Sequence, residues 1–262
     1  MSALLAILMS ISACGVGRAG VTTPSDRTSG VAIHPGIVAR SASVQVPSEA
    51  PRTEASASCQ AGEALIGGGY TSSDTFEYAA IIVASYPASA TTWTVAAAAS
   101  PAFILRAEAY CVPAGAGLGP QIVQAPIDPT RAASCPAGSV LLSGGFQASG
   151  PVVASRPDGN GWYAAMPSLS AGTVYALCAS QHARAGSDVV ASLDPHSSSR
   201  GQRPDGATLP CPASPIATAG GFRGGGLVIT SATAGAPYEG WSVIVGGDGD
   251  LTLYAHCVAL TV

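Results

Sequence analysis

An all-β fold of three tandem antiparallel repeats, each of four to five strands and closed by one disulfide, is what this sequence predicts. Three observations carry it. Cys-led segments recur every 76 residues, at Cys59, Cys135 and Cys211. Short apolar and β-branched runs alternate with Gly, Pro and Asp turns, while helical periodicity is nearly absent. Of 262 residues, 32 are Gly and 20 are Pro, and only 10% are charged, well below the usual quarter. With 47% hydrophobic residues, the chain has enough apolar material to fold rather than stay disordered.

In chain order, the N-terminus opens on the apolar stretch Ala3 to Ile11 (ALLAILMSI). It is too short to span a bilayer and suits the apolar region of a secretory signal. Ile11-Ser12-Ala13-Cys14 follows. This segment resembles the lipobox of bacterial lipoproteins, in which the Cys carries lipid and becomes the first mature residue. The resemblance implies a signal peptide over residues 1–13, lipidation at Cys14 and a membrane partner reached through that lipid. Residues 14–42, rich in Gly, Ser, Thr and Pro, predict a flexible tether.

The repeats then occupy residues 43–118, 119–186 and 187–262. A leader strand opens each, at Ser43 to Val46, Gln121 to Gln124 and Asp188 to Ala191. The segments Cys59-Gln-Ala-Gly, Cys135-Pro-Ala-Gly and Cys211-Pro-Ala-Ser lead into short apolar runs. A Gly pair falls nine and ten positions after each Cys, and an aromatic (Tyr70, Phe146, Phe222) at the eleventh. Ser85-Tyr-Pro87, Ser155-Arg-Pro157 and Ser231-Ala-Thr233 come next, then one Trp per copy: Trp93, Trp162 and Trp241. Ala109-Tyr-Cys111, Ala176-Leu-Cys178 and Ala255-His-Cys257 close the units. This pattern predicts a four-stranded antiparallel meander behind each leader, with hairpin turns at Pro157-Asp-Gly-Asn-Gly161 and Gly246-Gly-Asp-Gly-Asp250. Because the Gly pairs precede no helix, they predict a bulge or close strand crossing rather than a phosphate cradle.

With Cys14 set apart, six cysteines remain, and spacing alone allows many pairings. Each copy begins and ends on a Cys, so the simplest pairing joins Cys59 with Cys111, Cys135 with Cys178 and Cys211 with Cys257. Such a bracket contributes about 4 kcal/mol in the chain-entropy model, which a unit of about 65–75 residues needs to offset its small core. The Cys-x-x-Cys spacing of zinc ligation is missing, and no metal or cofactor is expected. The sheets must cover their apolar faces, either as three compact modules in tandem or, as the alternative, as a single pseudo-threefold β-prism. The ordered landmarks, from Cys-Pro-Ala-Gly to the closing Ala-x-Cys, resemble a repeat of uncharacterised secreted and surface proteins of bacteria, over about residues 43–262. That resemblance implies an all-β fold and an extracytoplasmic location, and it supplies no catalytic residues.

A net charge of −4 without a basic cluster argues against a nucleic-acid partner. None of His34, His182, His196 and His256 recurs between copies, so the repeats share no acid, base or nucleophile and no enzyme is expected. A Ser/His/Asp grouping of His182, Asp188 and Asp194-Pro-His-Ser197 falls in a linker without a Gly-x-Ser-x-Gly elbow. His256 reads as a rim residue. Asp158, Asp248 and Asp250 mark hairpin turns before they mark a calcium site. Trp93, Trp162 and Trp241 are the candidate platforms for stacking on a sugar, with core packing as their ordinary role. The sequence therefore predicts an exported, lipid-anchored bacterial envelope protein with a non-enzymatic structural, adhesive or spacer role. A lectin-like module for carbohydrate, cell wall or surface glycan is the alternative, with secretion the alternative to anchoring, and a hydrolase is the remote one.

Overall fold

The computed structural model describes residues 31–34, 36–73, 81–98, 102–167, 171–180, 182–193, 205–212, 216–224, 227–234, 240–246 and 250–261. Cys14 and the signal segment lie outside them, as do His196 and Asp248. The all-β class holds: the described elements are twenty strands and one short 3-10 turn, and every strand pairing is antiparallel.

Six strands recur in each copy. In the first they are a leader, β2 (Ile37–Val46); a strand before the Cys, β3 (Thr53–Ser58); the strand after it, β4 (Glu63–Ser72); a hairpin, β5 (Ile81–Ser89) and β6 (Thr92–Ala98); and the closing β7 (Phe103–Pro113). The second copy repeats them as β8 (Gln121–Pro126), β9 (Ala133–Ser134), β10 (Val140–Ala148), β11 (Ala154–Pro157), β12 (Gly161–Ala165) and β13 (Gly172–Ala179). The third does so as β15 (Val189–Leu193), β16 (Asp205–Pro210), β17 (Ile216–Gly224), β18 (Leu227–Ala234), β19 (Gly240–Gly246) and β20 (Leu251–Leu260). Two short strands, β1 (Val31–His34) and β14 (Ala183–Ala185), stand outside this pattern.

The meander expected for each copy is corrected by the pairing. The closing strand lies between the leader and the strand after the Cys, while the hairpin leaves to join a different copy. One sheet runs β1-β2-β7-β4-β18-β19-β16, a second β3-β6-β5-β10-β13-β8, and a third β14-β20-β17-β11-β12-β9 with β15 also on β20. The exchange is cyclic: the first sheet unites copies one and three, the second copies two and one, the third copies three and two. Strands β4, β10 and β17 touch one another where the three sheets meet. Three separate modules in tandem are therefore excluded, and the single pseudo-threefold body agrees with the topology. Exchange satisfies the same need that modules would, since each half-sheet finds backbone partners and an apolar cover.

The landmarks of the repeat explain this geometry. The bulge falls seven positions after the first Cys in every copy, at Ile66, Leu142 and Thr218, where the register with the closing strand slips by one. The first Gly of each pair faces the Trp of its own copy. A Cβ at Gly68, Gly144 or Gly220 would collide with the indole of Trp93, Trp162 or Trp241. The second Gly lets the neighbouring copy cross: a Cβ at Gly145 would strike the Ser85 carbonyl, and one at Gly221 the Ser155 carbonyl. The aromatic after the Gly pair then takes its place opposite that same Ser, as Phe146 to Ser85, Phe222 to Ser155 and Tyr70 to Ser231. The Ser hydroxyls also accept from the indoles, Trp93 Nε1 to Ser85 Oγ at 3.1 Å and Trp162 Nε1 to Ser155 Oγ at 2.9 Å. One motif thus builds the core and the seam between copies.

Two boundaries differ from the sequence expectation. Residues 37–42, assigned to the tether, belong to β2 and pair with β7 from Val38 to Val46, and Ile37 is buried. The strand before each Cys was not expected. Its apolar content is slight, yet Ala57, Ala133 and Leu209 are each buried two positions before the Cys and pair with Trp93, Trp162 and Trp241. The leaders at β8 and β15 and the hairpin turn at Asp158–Gly161 fall where the sequence placed them.

Candidate functional site

The three disulfides are those of the within-repeat pairing: Cys59–Cys111, Cys135–Cys178 and Cys211–Cys257. In each, the first Cys stands where the chain passes from one sheet to another, and the second is fully buried in the closing strand. The bracket therefore pins a sheet-to-sheet crossing. Three such bonds mark an oxidising, extracytoplasmic environment. Among the described residues, the group of Cys59, Glu63 and Cys111 is the one close enough to hold a metal. Its two sulfurs are already bonded to each other.

Glu63 serves the fold instead. Arg40 on the leader reaches it with Nη2 to Oε1 at 2.5 Å and Nε to Oε2 at 3.3 Å, and the Gln60 amide donates to the same carboxylate at 2.8 Å. The Arg40 hydrogen bond holds the Glu63 carboxyl below its ordinary value of 4.5, burial opposing it. The second copy has Val123 and Ser139 at these places.

The Trp platforms expected for sugar stacking are corrected. Trp93, Trp162 and Trp241 are each 1% exposed, because the bare Gly backbone beneath them and the strand before the Cys beside them close over the rings. His256 is corrected too: it is 4% exposed rather than on the rim. Its Nδ1 lies 2.6 Å from Asp188 Oδ1 and its Nε2 3.0 Å from the Leu141 carbonyl. Both ring nitrogens thus face an oxygen of the protein. Asp188 thus joins His256 rather than the linker grouping with His182, and the nitrogen that would serve a nucleophile is held by a backbone carbonyl. Tyr110 and Leu177 occupy the same position in the other copies and are fully buried. His182 is exposed, with a φ of 56°.

A surface recess of about 560 Å³ lies on the β11–β12 hairpin. Arg131 comes from the loop before β9, Arg156 and Asp158 from the hairpin, and Arg223 from the end of β17, with Thr130 and Tyr163 completing the wall. Three of the chain's eleven basic residues meet there, against one carboxylate. Arg156 is held in place from several sides. Its guanidinium lies 4.9 Å from the Tyr163 ring centre and 5.8 Å from that of Tyr254, and its Nη1 donates to the Pro157 carbonyl at 3.0 Å and to Asp158 Oδ1 at 2.9 Å. The engaged Asp158 is a poor start for a calcium site. Among the described residues, Arg131 and Arg223 take part in no ion pair. A cluster of this kind supplies positive charge and planar donor forks, chemistry suited to oxyanions.

Sequence reasoning missed this recess because its residues sit at positions that vary between the copies. The signal was nonetheless present: the middle residue of the Ser-x-Pro motif is Tyr86, Arg156 or Ala232, and the residue after the Gly-Gly-aromatic is Thr71, Gln147 or Arg223. The chain matches no known protein-family profile, and no curated protein matches it in sequence.

Proposed function

We propose that this protein is an exported bacterial envelope protein, anchored by lipid at Cys14, whose β body has a non-enzymatic structural, adhesive or spacer role. The observation that carries the reading is the disulfide that pins one sheet-to-sheet crossing in each copy. A body in which every sheet draws strands from two copies cannot open one copy at a time, which suits an element that must keep its shape outside the cell. The lipobox-like Ile11-Ser12-Ala13-Cys14 supplies the anchor. The shared repeat interior supports the reading too, since its serines and indoles are spent on packing. The test is the intact mass of protein extracted from bacterial membranes. An N-terminus at Cys14 bearing acyl chains is expected, and Cys14→Ser should release the protein from the membrane fraction. An unprocessed Met1, or an unlipidated cleavage product, would remove the anchor.

A further inference from the structure

The pseudo-threefold body carries three equivalent junctions, where the hairpin of one copy pairs with the Gly-pair strand of the next. At the junction of copies one and two, Tyr86 stacks on Tyr175 with ring centres 4.6 Å apart, and the Tyr175 hydroxyl donates to Gln147 at 3.0 Å. At the junction of copies two and three, the same positions hold Arg156, Tyr254 and Arg223. At the third, the sequence places Ala232, Glu108 and Thr71. Pairing confirms the equivalence, since Tyr86, Arg156 and Ala232 stand opposite Thr94, Tyr163 and Ser242. The scaffold is thus compatible with an aromatic, a guanidinium or a methyl group at this point. The guanidinium is not a demand of the fold.

Gathering like charges costs energy in the free protein, and Arg156 Nε is buried without a partner, a further cost. Arg131 and Arg223 remain exposed beside it. An anionic ligand recovers the first cost. We propose that this recess binds a small organic dianion, a phosphate monoester or dicarboxylate on a carrier the size of a sugar. The charge points the same way: with Arg156 paired to Asp158, Arg131 and Arg223 remain outside any ion pair among the described residues, Asp128 partly compensating Arg131 from beside the recess. Size decides for an organic carrier. A water takes about 30 Å³ of liquid, so a recess of about 560 Å³ holds far more than a bare oxyanion and falls within the range of small-molecule sites. The Thr130 and Tyr163 hydroxyls on the wall donate to Asp128 Oδ1 and to the Pro129 carbonyl, and their oxygens can still accept from hydroxyls of such a carrier. The site is independent of the lipid anchor and of the spacer role.

Calorimetric titration of the oxidised protein at low salt tests it, with glucose 6-phosphate, glucarate and glucose as probes. Saturable binding of glucose 6-phosphate or glucarate, at least tenfold tighter than glucose, is expected, and the tighter of the two identifies the oxyanion. Added salt should weaken it. Arg131→Gln and Arg223→Gln, both at exposed positions, should each weaken binding about tenfold, and Arg156→Gln more. Arg52→Gln, at an exposed site paired with Glu54, should leave it unchanged. Failure of both dianions to bind, equal binding of glucose, or binding indifferent to Arg131→Gln and Arg223→Gln would overturn the proposal. Should Arg156→Gln fail to fold, the other two variants still decide it.

Discussion

The junction of copies one and two and that of copies two and three share one backbone geometry and differ in what they display. The former is closed by the stacked pair Tyr86 and Tyr175, whose hydroxyls burial shifts upward in pKa. The latter opens into a recess with Arg131, Arg156 and Arg223 on its wall. Beneath both lies the same interior: a buried Trp over a bare Gly, an indole hydrogen bond to the motif Ser, and a disulfide at the sheet crossing. Stability and display are thus separated at these junctions. At these junctions the positions common to the copies build the interior, and the positions that vary decide what the surface displays.

The shared interior is where substitution should cost most. Trp162→Ala should destabilise the protein by about 3–5 kcal/mol in a denaturant melt, because the indole is 1% exposed and the Gly144 beneath it cannot fill the gap. Removing the Cys135–Cys178 bond with paired Ser substitutions should cost about 2–5 kcal/mol, read in the same way. Since the sheets exchange strands, both variants should lower one shared transition rather than melt the second copy alone. A separate early transition assigned to residues of copy two would contradict the interlocked body.

A smaller effect sharpens the contrast between copies one and two. Glu63→Gln should cost about 1 kcal/mol at neutral pH, because Arg40, at 9% exposure, loses its carboxylate partner. The Glu63 carboxyl sits below its ordinary value in the fold, so the folded state binds its proton more weakly than the unfolded chain. Its contribution is complete above the unfolded value and is lost as pH falls through the folded one. Melts of wild type and Glu63→Gln should therefore differ at pH 7 and converge in acid. A gap that widens in acid would refute the assignment.

Much of this was legible in the sequence, for physical reasons that particular residues show. Cys, Gly pair, aromatic, Ser and Trp keep their order because they build one interlocking contact set, the bare Gly making room for the indole as the clash at Gly68 with Trp93 makes plain. Strand exchange left no trace: β5 alternates in the same way whether it pairs with its own copy or with β10, and loop lengths allow both. The strand before each Cys was hidden because Ala55 and Ala57 bury little apolar area, although they alternate with exposed Glu54, Ser56 and Ser58. Arg131, Arg156 and Arg223 come from three separate segments, and only the folded chain gathers them.

The substitution Arg156→Tyr tests the separation of stability from display most directly, since it installs at the second junction the residue found at the first. Opposite Tyr254, the new ring should stack as Tyr86 does on Tyr175. The account predicts a denaturant midpoint that shifts by less than about 1 kcal/mol in stability, together with at least a tenfold loss of glucose 6-phosphate or glucarate binding. A variant that unfolds, or one that binds as the wild type does, would contradict it.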